Sequence, residues 1–209
     1  MIELRKVSKS FSDNVLFDQV SFKFNEQKCK IKGLNGTGKS VLLKIIVGFS
    51  VPNTGEVYYD GLLLGSESDF LPNAGISINA PEFMKNWSGM ENLMYLAKIK
   101  NISDKNKIDE LVEYFGLKKD IKKQYKAYSL GMKQKMRIIQ ALMDEPKYLI
   151  LDEPFDALDQ DSKNSLKNYL NKYLSENINR QLIFTSHEEE DDSFAQEIVF
   201  INNKKIIVK

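Results

Sequence analysis

The chain has 209 residues, of which 42% are hydrophobic and 28% are charged, so it can bury one sizeable core. Its 30 basic and 29 acidic side chains leave a formal net charge of +1, which argues against a surface that binds nucleic acid or anionic lipid. The single cysteine, Cys29, excludes an intramolecular disulfide and a multi-cysteine metal site.

The apolar segments of the chain are short. Residues 41–49 and 198–201 fall well below the roughly 20 residues that a membrane-spanning helix needs. The first residues show the pattern of neither a secretory signal nor a transit peptide. We therefore expect a cytoplasmic protein whose contact with a membrane is made only through another subunit.

The predicted elements begin with β structure, because residues 2–31 read as short strands with alternating faces. A glycine-rich loop follows at residues 33–40, and an apolar helix over about residues 40–47 ends at Gly48. A Pro-Asn-Thr-Gly turn precedes another strand at residues 56–59. The order predicts an α/β core behind an N-terminal antiparallel β region.

Between about residues 81 and 130 the periodicity becomes helical. Ser88 and Glu91 have the capping-box spacing at the start of one helix, and a second helix with an apolar face ends at Gly116. We interpret this stretch as an α-helical lobe inserted into the α/β core.

The α/β pattern resumes after the lobe. Residues 148–151 and 182–185 predict buried parallel strands, with a helix over about residues 161–174 between them. The acidic run at residues 188–192 is expected to begin a helix, and residues 198–208 predict a closing hairpin. These elements favour one domain that spans residues 1–209.

The glycine-rich loop, Gly-Leu-Asn-Gly-Thr-Gly-Lys-Ser, fits the phosphate-binding template of two glycines five apart followed by Lys and Ser. Glycines let backbone N–H groups approach a phosphate, and the next helix adds its positive N-terminal end. Lys39 is expected to meet the β and γ phosphates, and Ser40 to ligate Mg²⁺. A chance glycine turn is the alternative. The candidate nucleotide-binding residues are Asn35, Gly36, Thr37, Gly38, Lys39, Ser40 and Val41.

Two carboxylates follow the predicted strand at residues 148–151. Asp152 is placed to hold Mg²⁺, and Glu153 could act as the general base that activates water. The alternative is that many strand ends carry acidic residues. Ligands gather at the carboxyl ends of parallel strands, which favours the functional interpretation.

Residues 128–135, Tyr-Ser-Leu-Gly-Met-Lys-Gln-Lys, closely resemble the signature of ATP-binding cassette (ABC) proteins. The resemblance extends over almost the whole chain, through six segments in the family's order. They are the adenine-stacking aromatic Phe11, the Walker A loop at residues 33–40, the signature from Ser129, Walker B at residues 148–153, the D-loop at residues 156–159 and the switch histidine His187. The resemblance implies a P-loop NTPase core that binds ATP and Mg²⁺.

The resemblance also implies a mechanism. ATP on the Walker motifs of one cassette is closed by Ser129 and Gly131 of a second cassette, and hydrolysis, with Glu153, His187 and Lys39 as catalytic residues, reopens the dimer. A separate transmembrane permease is expected to contact the helical lobe near Trp87. The protein would then be peripheral at the inner face of the cell membrane.

Three positions leave alternatives open. Asn79 stands where the family usually has glutamine, so either direct Mg²⁺ coordination or a water bridge is possible. Phe11 could be a core residue, and a lone histidine such as His187 is often without chemistry. Leu130 replaces the first signature glycine, and the Tyr-Ser-Leu-Gly-Met form resembles the branch that exports bacitracin and other antimicrobial peptides.

Two other functions compete with an exporter ATPase. One is a soluble ABC ATPase that acts on DNA or ribosomes, but the tandem cassettes or basic extensions usual there are not seen in this sequence. The other is a nucleotide kinase or GTPase, which would leave Ser129 and His187 unexplained.

Overall fold

A computed structural model describes residues 1–12, 14–101 and 105–208 of the chain. The strands are β1 (Ile2–Phe11), β2 (Asn14–Phe24), β3 (Lys28–Lys32), β4 (Thr54–Tyr59), β5 (Leu62–Leu63), β6 (Ala74–Ser77), β7 (Tyr148–Leu151), β8 (Gln181–Thr185), β9 (Glu197–Asn202) and β10 (Lys205–Val208). The α-helices are α1 (Lys39–Ile46), α2 (Gly89–Ile99), α3 (Asn106–Tyr114), α4 (Leu130–Leu142) and α5 (Gln160–Ser175). Short 3₁₀ helices span Tyr125–Ala127 and Glu189–Phe194.

The strands form two sheets. The larger has the order β10-β9-β3-β8-β7-β6, with β10 antiparallel to β9 and the other neighbours parallel. The smaller sheet, β2-β1-β4-β5, is antiparallel. Helices α2, α3 and α4 lie in the chain between β6 and β7, which are neighbours in the larger sheet. The predicted α/β core, N-terminal antiparallel region and closing hairpin are confirmed.

The first β region differs from the prediction of short strands. β1 and β2 have 10 and 11 residues, and their pairing contains register shifts, one of them between Leu4 and Val7. Lys6 and Gln19 have positive φ angles of 49° and 45° near these shifts. Bulges of this kind break the alternation of side chains while pairing continues, so the sequence pattern divides a long strand into short runs.

The larger sheet is the middle layer of the molecule, because alternate residues of its strands face two different cores. Leu149 and Leu151 of β7 pack in the apolar cluster with the helices α2–α5. Tyr148 and Ile150 pack on the opposite side with α1 and the antiparallel sheet. Burial of one such side chain contributes about 1.5–3 kcal/mol, so this layering orients the carboxyl end of β7 firmly.

The helices match the predicted ones within a few residues. In the described residues 1–12, 14–101 and 105–208, no helix combines the length and apolar character that crossing a membrane requires. The acidic run begins a helix, as predicted, and this helix is a 3₁₀ helix from Glu189 to Phe194. Its aspartates Asp191 and Asp192 make ion pairs with lysines of neighbouring elements.

Helix α2 begins with the predicted capping box. The Ser88 hydroxyl accepts a hydrogen bond of 3.1 Å from the Glu91 backbone N–H, and the Glu91 carboxylate accepts one of 2.7 Å from the Ser88 backbone N–H. These two bonds satisfy donors that the first turn of a helix leaves free.

We expect Ser88→Ala to lower the free energy of unfolding by about 1 kcal/mol, because it removes the cap of α2. Urea denaturation measures the change. Ser165→Ala is the matched control, since Ser165 lies inside α5, where alanine has the higher helix propensity. Equal destabilisation by both variants would contradict the capping role.

Candidate functional site

The predicted phosphate loop, residues 33–40, joins the carboxyl end of β3 to α1. Gly36 and Gly38 have φ angles of 80° and 98°, and Gly38 is the N-cap of α1. A Cβ atom at Gly38 would lie 2.9 Å from the Phe17 ring. Position 38 therefore needs glycine both for its backbone conformation and for its packing.

Lys39, the first residue of α1, is 6% exposed. Its Nζ donates hydrogen bonds of 2.9 Å to the Gly33 carbonyl and 3.3 Å to the Leu34 carbonyl. Burial lowers the pKa of Lys39, while the charges of Glu153 and Asp152 oppose that shift. The cation is therefore close enough to both carboxylates to interact with them electrostatically.

Asp152 and Glu153 follow β7 and are joined by Thr185, the last residue of β8. The Thr185 hydroxyl donates a 2.7 Å hydrogen bond to Asp152 Oδ1 and accepts one of 2.8 Å from the Glu153 backbone N–H. The Asp152 backbone N–H donates to the Ser77 carbonyl at 2.7 Å. Sequence reasoning missed Thr185, although a polar residue at the end of a buried parallel strand is a usable signal.

His187 lies beside Glu153, since its Nε2 contacts the Glu153 carboxylate. Asp156 belongs to the same group of titratable side chains. Burial raises the pKa of Asp156, the Glu153 carboxylate raises it further, and the charge of His187 opposes both effects. Glu153 and His187, which the sequence predicted separately as catalytic residues, are therefore brought together, and Asp156 of the predicted D-loop is their neighbour.

The segment that carries His187 is held by partly buried ion pairs. Lys30 of β3 is completely buried, and its Nζ donates hydrogen bonds of 2.6 Å to Asp192 Oδ1 and to the Glu188 carbonyl. Burial would raise the pKa of Asp192, but the hydrogen bonds from Lys30 and Lys32 outweigh it and lower the pKa. A lysine inside the apolar Cys-Lys-Ile run was the signal that sequence reasoning did not use.

A second ion pair supports the same segment from α5. Lys167 Nζ lies 2.7 Å from Asp191 Oδ1, and the other oxygen of Asp191 accepts a hydrogen bond from the Ser186 hydroxyl. The backbone N–H of Glu188 donates to the same hydroxyl at 3.1 Å. These contacts flank His187 on both sides and fix the backbone that presents it.

Asn79 reaches Asp152 through its backbone. Its φ angle is 54°, and its N–H lies 3.4 Å from Asp152 Oδ2. Ala80 also has a positive φ, of 47°. The structure therefore places Asn79 next to the carboxylate with which the sequence grouped it, while ligation by its side chain stays a prediction.

Phe11, Ser129 and Gly131 occupy other surfaces. Phe11 ends β1 with 52% of its surface exposed, and Lys9 Nζ lies 5.0 Å from its ring centroid. The Ser129 hydroxyl caps α4 by accepting a 3.2 Å hydrogen bond from Met132 N–H. A Cβ at Gly131 would lie 2.9 Å from the Ala157 carbonyl. Gly131 thus sits beside the predicted D-loop.

A cleft of about 1230 Å³ lies against the phosphate loop. This volume exceeds that of most small-ligand pockets, so it can admit a nucleotide. In the described part of the chain the cleft is bounded by the loop, His187, β2 and the closing hairpin. Its lining includes Leu16, Gly33, Asn35, Gly36, Thr37, His187, Phe200 and Asn203. Sequence reasoning did not assign the hairpin to this site.

Comparisons with known proteins agree with the sequence resemblance. The family model described as ABC transporter matches residues 17–156. The uncharacterized ABC transporter ATP-binding protein YhcH of Bacillus subtilis is 32% identical over 210 residues, which cover 99% of this chain and 68% of that protein. The bacitracin transport ATP-binding protein BcrA of Enterococcus faecalis is 33% identical over 181 residues, or 85% of this chain and 58% of that protein.

Solved structures share the fold. A dimeric ATP-binding cassette in a post-hydrolysis state with ADP and Pi has a TM-score of 0.88 and 21% sequence identity, covering 100% of this chain and 98% of that chain. The family match and the relatives together decide the assignment. The chain therefore belongs to the ABC transporter family and is an ATP-binding ATPase subunit of that family.

Proposed function

We propose that residues 33–40 bind the triphosphate of ATP and that Glu153 activates the water that hydrolyses it. The observation that carries this proposal is the Thr185 hydroxyl, which holds both Asp152 and the Glu153 backbone near Lys39. Backbone N–H groups of residues 35–41 would surround the phosphates, and Lys39 would exchange its bonds to loop carbonyls for bonds to phosphate oxygens.

The proposed metal is Mg²⁺. In the described residues, no group of three or more His, Cys, Asp or Glu side chains could hold a metal by itself. Mg²⁺ in nucleotide sites commonly uses one or two protein oxygens, phosphate oxygens and water, so the Asp152 carboxylate and the Ser40 hydroxyl fit it. Asn79 is proposed to assist at the same place. When bound, the ion would neutralise charge that develops on the phosphates.

Glu153 is proposed to accept the proton of the attacking water. Its backbone N–H is bonded to Thr185, and its carboxylate contacts His187 Nε2, so both ends of the residue are held. His187 would contact the γ-phosphate from the segment that Lys30 and Lys167 anchor. This geometry supports the proposal, because general base catalysis requires a base that is held in position.

We propose that the working unit contains a second cassette. Ser129 is the N-cap of α4 and Gly131 lies in its first turn, and Leu130 between them is 73% exposed. The positive N-terminal end of α4 is suited to the phosphates of a nucleotide bound on another copy or on a different cassette. ATP would then close a head-to-tail dimer, hydrolysis would reopen it, and Phe11 would stack on the adenine.

We expect Glu153→Gln to keep ATP affinity but to lose ATP turnover by about 100-fold or more, because the amide cannot accept the proton. Calorimetry measures binding, phosphate release measures turnover, and sedimentation with ATP should show a stable dimer. Glu189→Gln, at an exposed residue of the acidic run, is the matched control. Normal turnover by Glu153→Gln would refute the general-base role.

Thr185→Val keeps the shape of the side chain but leaves the Glu153 N–H and Asp152 Oδ1 without that partner. Unpaired buried groups cost about 1–3 kcal/mol, so we expect turnover to fall about tenfold or more and the Mg²⁺ requirement to rise. Thr185→Ser retains the hydroxyl and should stay near wild type. Equal kinetics in a magnesium titration of both variants would argue against the bridge.

We propose further that the chain powers an exporter of antimicrobial peptides or similar amphiphiles, and the name of the relative BcrA supports this. The chain would be one domain with a helical subdomain over about residues 81–130. A separate permease would contact that subdomain near Trp87, which is 39% exposed and packs against Tyr95. The protein would be cytoplasmic and peripheral at the membrane, bound only through that permease, and without a nucleic acid partner.

Cells that carry this cassette and its permease as their export system for such peptides should resist bacitracin or a lantibiotic. The Glu153→Gln variant should abolish that resistance. Minimum inhibitory concentrations measure the effect, with Glu189→Gln as the control. Unchanged susceptibility to every peptide tested, with an ATPase that is active in solution, would remove the peptide-export proposal and leave the ATPase intact.

A further inference from the structure

We propose that Arg137 and Gln134 are positioning residues that couple the loop at Pro81 to the backbone of Glu153. This inference rests on the proposed role of Glu153 as the base. Both residues lie on α4, one turn apart, so their side chains share a face of the helix. We call this pair the Arg137/Gln134 bridge.

Arg137 makes one end of the bridge. Its Nε donates a 3.1 Å hydrogen bond to the Pro81 carbonyl, and its Nη1 donates one of 3.2 Å to Gln134 Oε1. The guanidinium group is planar and rigid, so two bonds from one group set both the distance and the angle between the acceptors. Movement of Pro81 is therefore transmitted to Gln134 rather than absorbed by a flexible side chain.

Gln134 makes the other end. Its Nε2 donates hydrogen bonds of 3.2 Å to the Glu153 carbonyl and 3.0 Å to the Pro154 carbonyl. The side chain is 6% exposed, so water cannot easily replace these bonds if they break. Glu153 itself has a positive φ of 49°, a conformation that costs energy and must be held by its surroundings.

The loop at Pro81 also returns to the site by a second route. The Asn79 N–H lies 3.4 Å from Asp152 Oδ2, two residues before Pro81. The loop, the Arg137/Gln134 bridge and the two carboxyl-bearing residues thus form a closed ring of contacts. A closed ring ties the two ends together, because the loop cannot shift at Pro81 without strain at Asp152 or at Glu153.

The consequence concerns the proposed helical subdomain at about residues 81–130, a segment that follows the loop at Pro81. A displacement of that segment on nucleotide binding would pull on the Glu153 carbonyl through the bridge and re-aim the carboxylate relative to His187. Trp87 is the only tryptophan of the chain and lies in the same segment, so its fluorescence can report the displacement. The bridge would make the state of this segment and the position of the base interdependent.

The test compares Arg137→Met, Arg137→Lys, Gln134→Met and a double variant. The double variant combines Arg137→Met and Gln134→Met. We expect Arg137→Met to lower kcat about tenfold with ATP affinity in calorimetry unchanged, since a lost bond to a charged donor misplaces the base without touching the loop at residues 33–40. The ATP-induced change in Trp87 emission should shrink to the same degree. Arg137→Lys, which can still donate to one carbonyl, should recover part of both.

The double variant separates coupling from simple tethering. If the two residues act as one unit, the fold-loss in kcat of the double variant is smaller than the product of the fold-losses of the two single variants. Gln134→Met alone should then lower kcat about as much as Arg137→Met does. Arg5→Met, at a surface arginine paired with Glu3, is the control and should leave kcat unchanged.

Three results would overturn the inference. The first is a wild-type kcat and Trp87 response in Arg137→Met, and the second is a loss of kcat in the double variant equal to the product of the two single losses. The third is a loss of kcat that is explained by a lower Tm of the variants. A wild-type chain that binds ATP but does not hydrolyse it would instead refute the proposed function. In that case the Trp87 response of Arg137→Met still decides whether Arg137 couples the loop to the site.

Discussion

One hydroxyl group holds the candidate site together. Thr185 bonds the Asp152 carboxylate and the Glu153 backbone at once, and it can do so because β7 and β8 are adjacent parallel strands. Leu151 is in register with Phe184, so the residues that follow them emerge side by side. Alternate side chains of these strands pack in two different cores, so a slip of one residue in either strand would exchange the side chains that it buries in each core.

The same sheet anchors the histidine segment. The charge of Lys30 is buried in β3 and would destabilise the fold without a partner of opposite charge. Asp192 supplies that partner. If Asp192 moved away, Lys30 would be left as a buried charge without a partner. The ion pair therefore restrains the segment between β8 and β9. His187 is therefore presented to Glu153 by a backbone that two elements, β3 and α5, hold from opposite directions.

Most of the architecture was accessible from the sequence because its signals are local. The glycine spacing at residues 33–40, the Ser88 capping box and the apolar run at residues 148–151 each act within a few residues. The N-terminal sheet was the exception, because bulges interrupt the alternation of side chains along β1 and β2. The sequence pattern therefore predicted short strands where the structure has two long ones. The contacts that position the site were not accessible, since Lys30 and Asp192 are 162 residues apart in the chain.

The sequence by itself determined the glycine-rich loop, the carboxylates at a strand end and the family resemblance, because backbone conformation at glycines and side-chain periodicity are properties of short segments. Only the tertiary structure decided that Thr185 joins the two carboxyl-bearing residues, that Asn79 meets Asp152 through its backbone, and that Gln134 reaches Glu153. Those contacts depend on the register of neighbouring strands and on the packing of a helix over them, which no local pattern encodes.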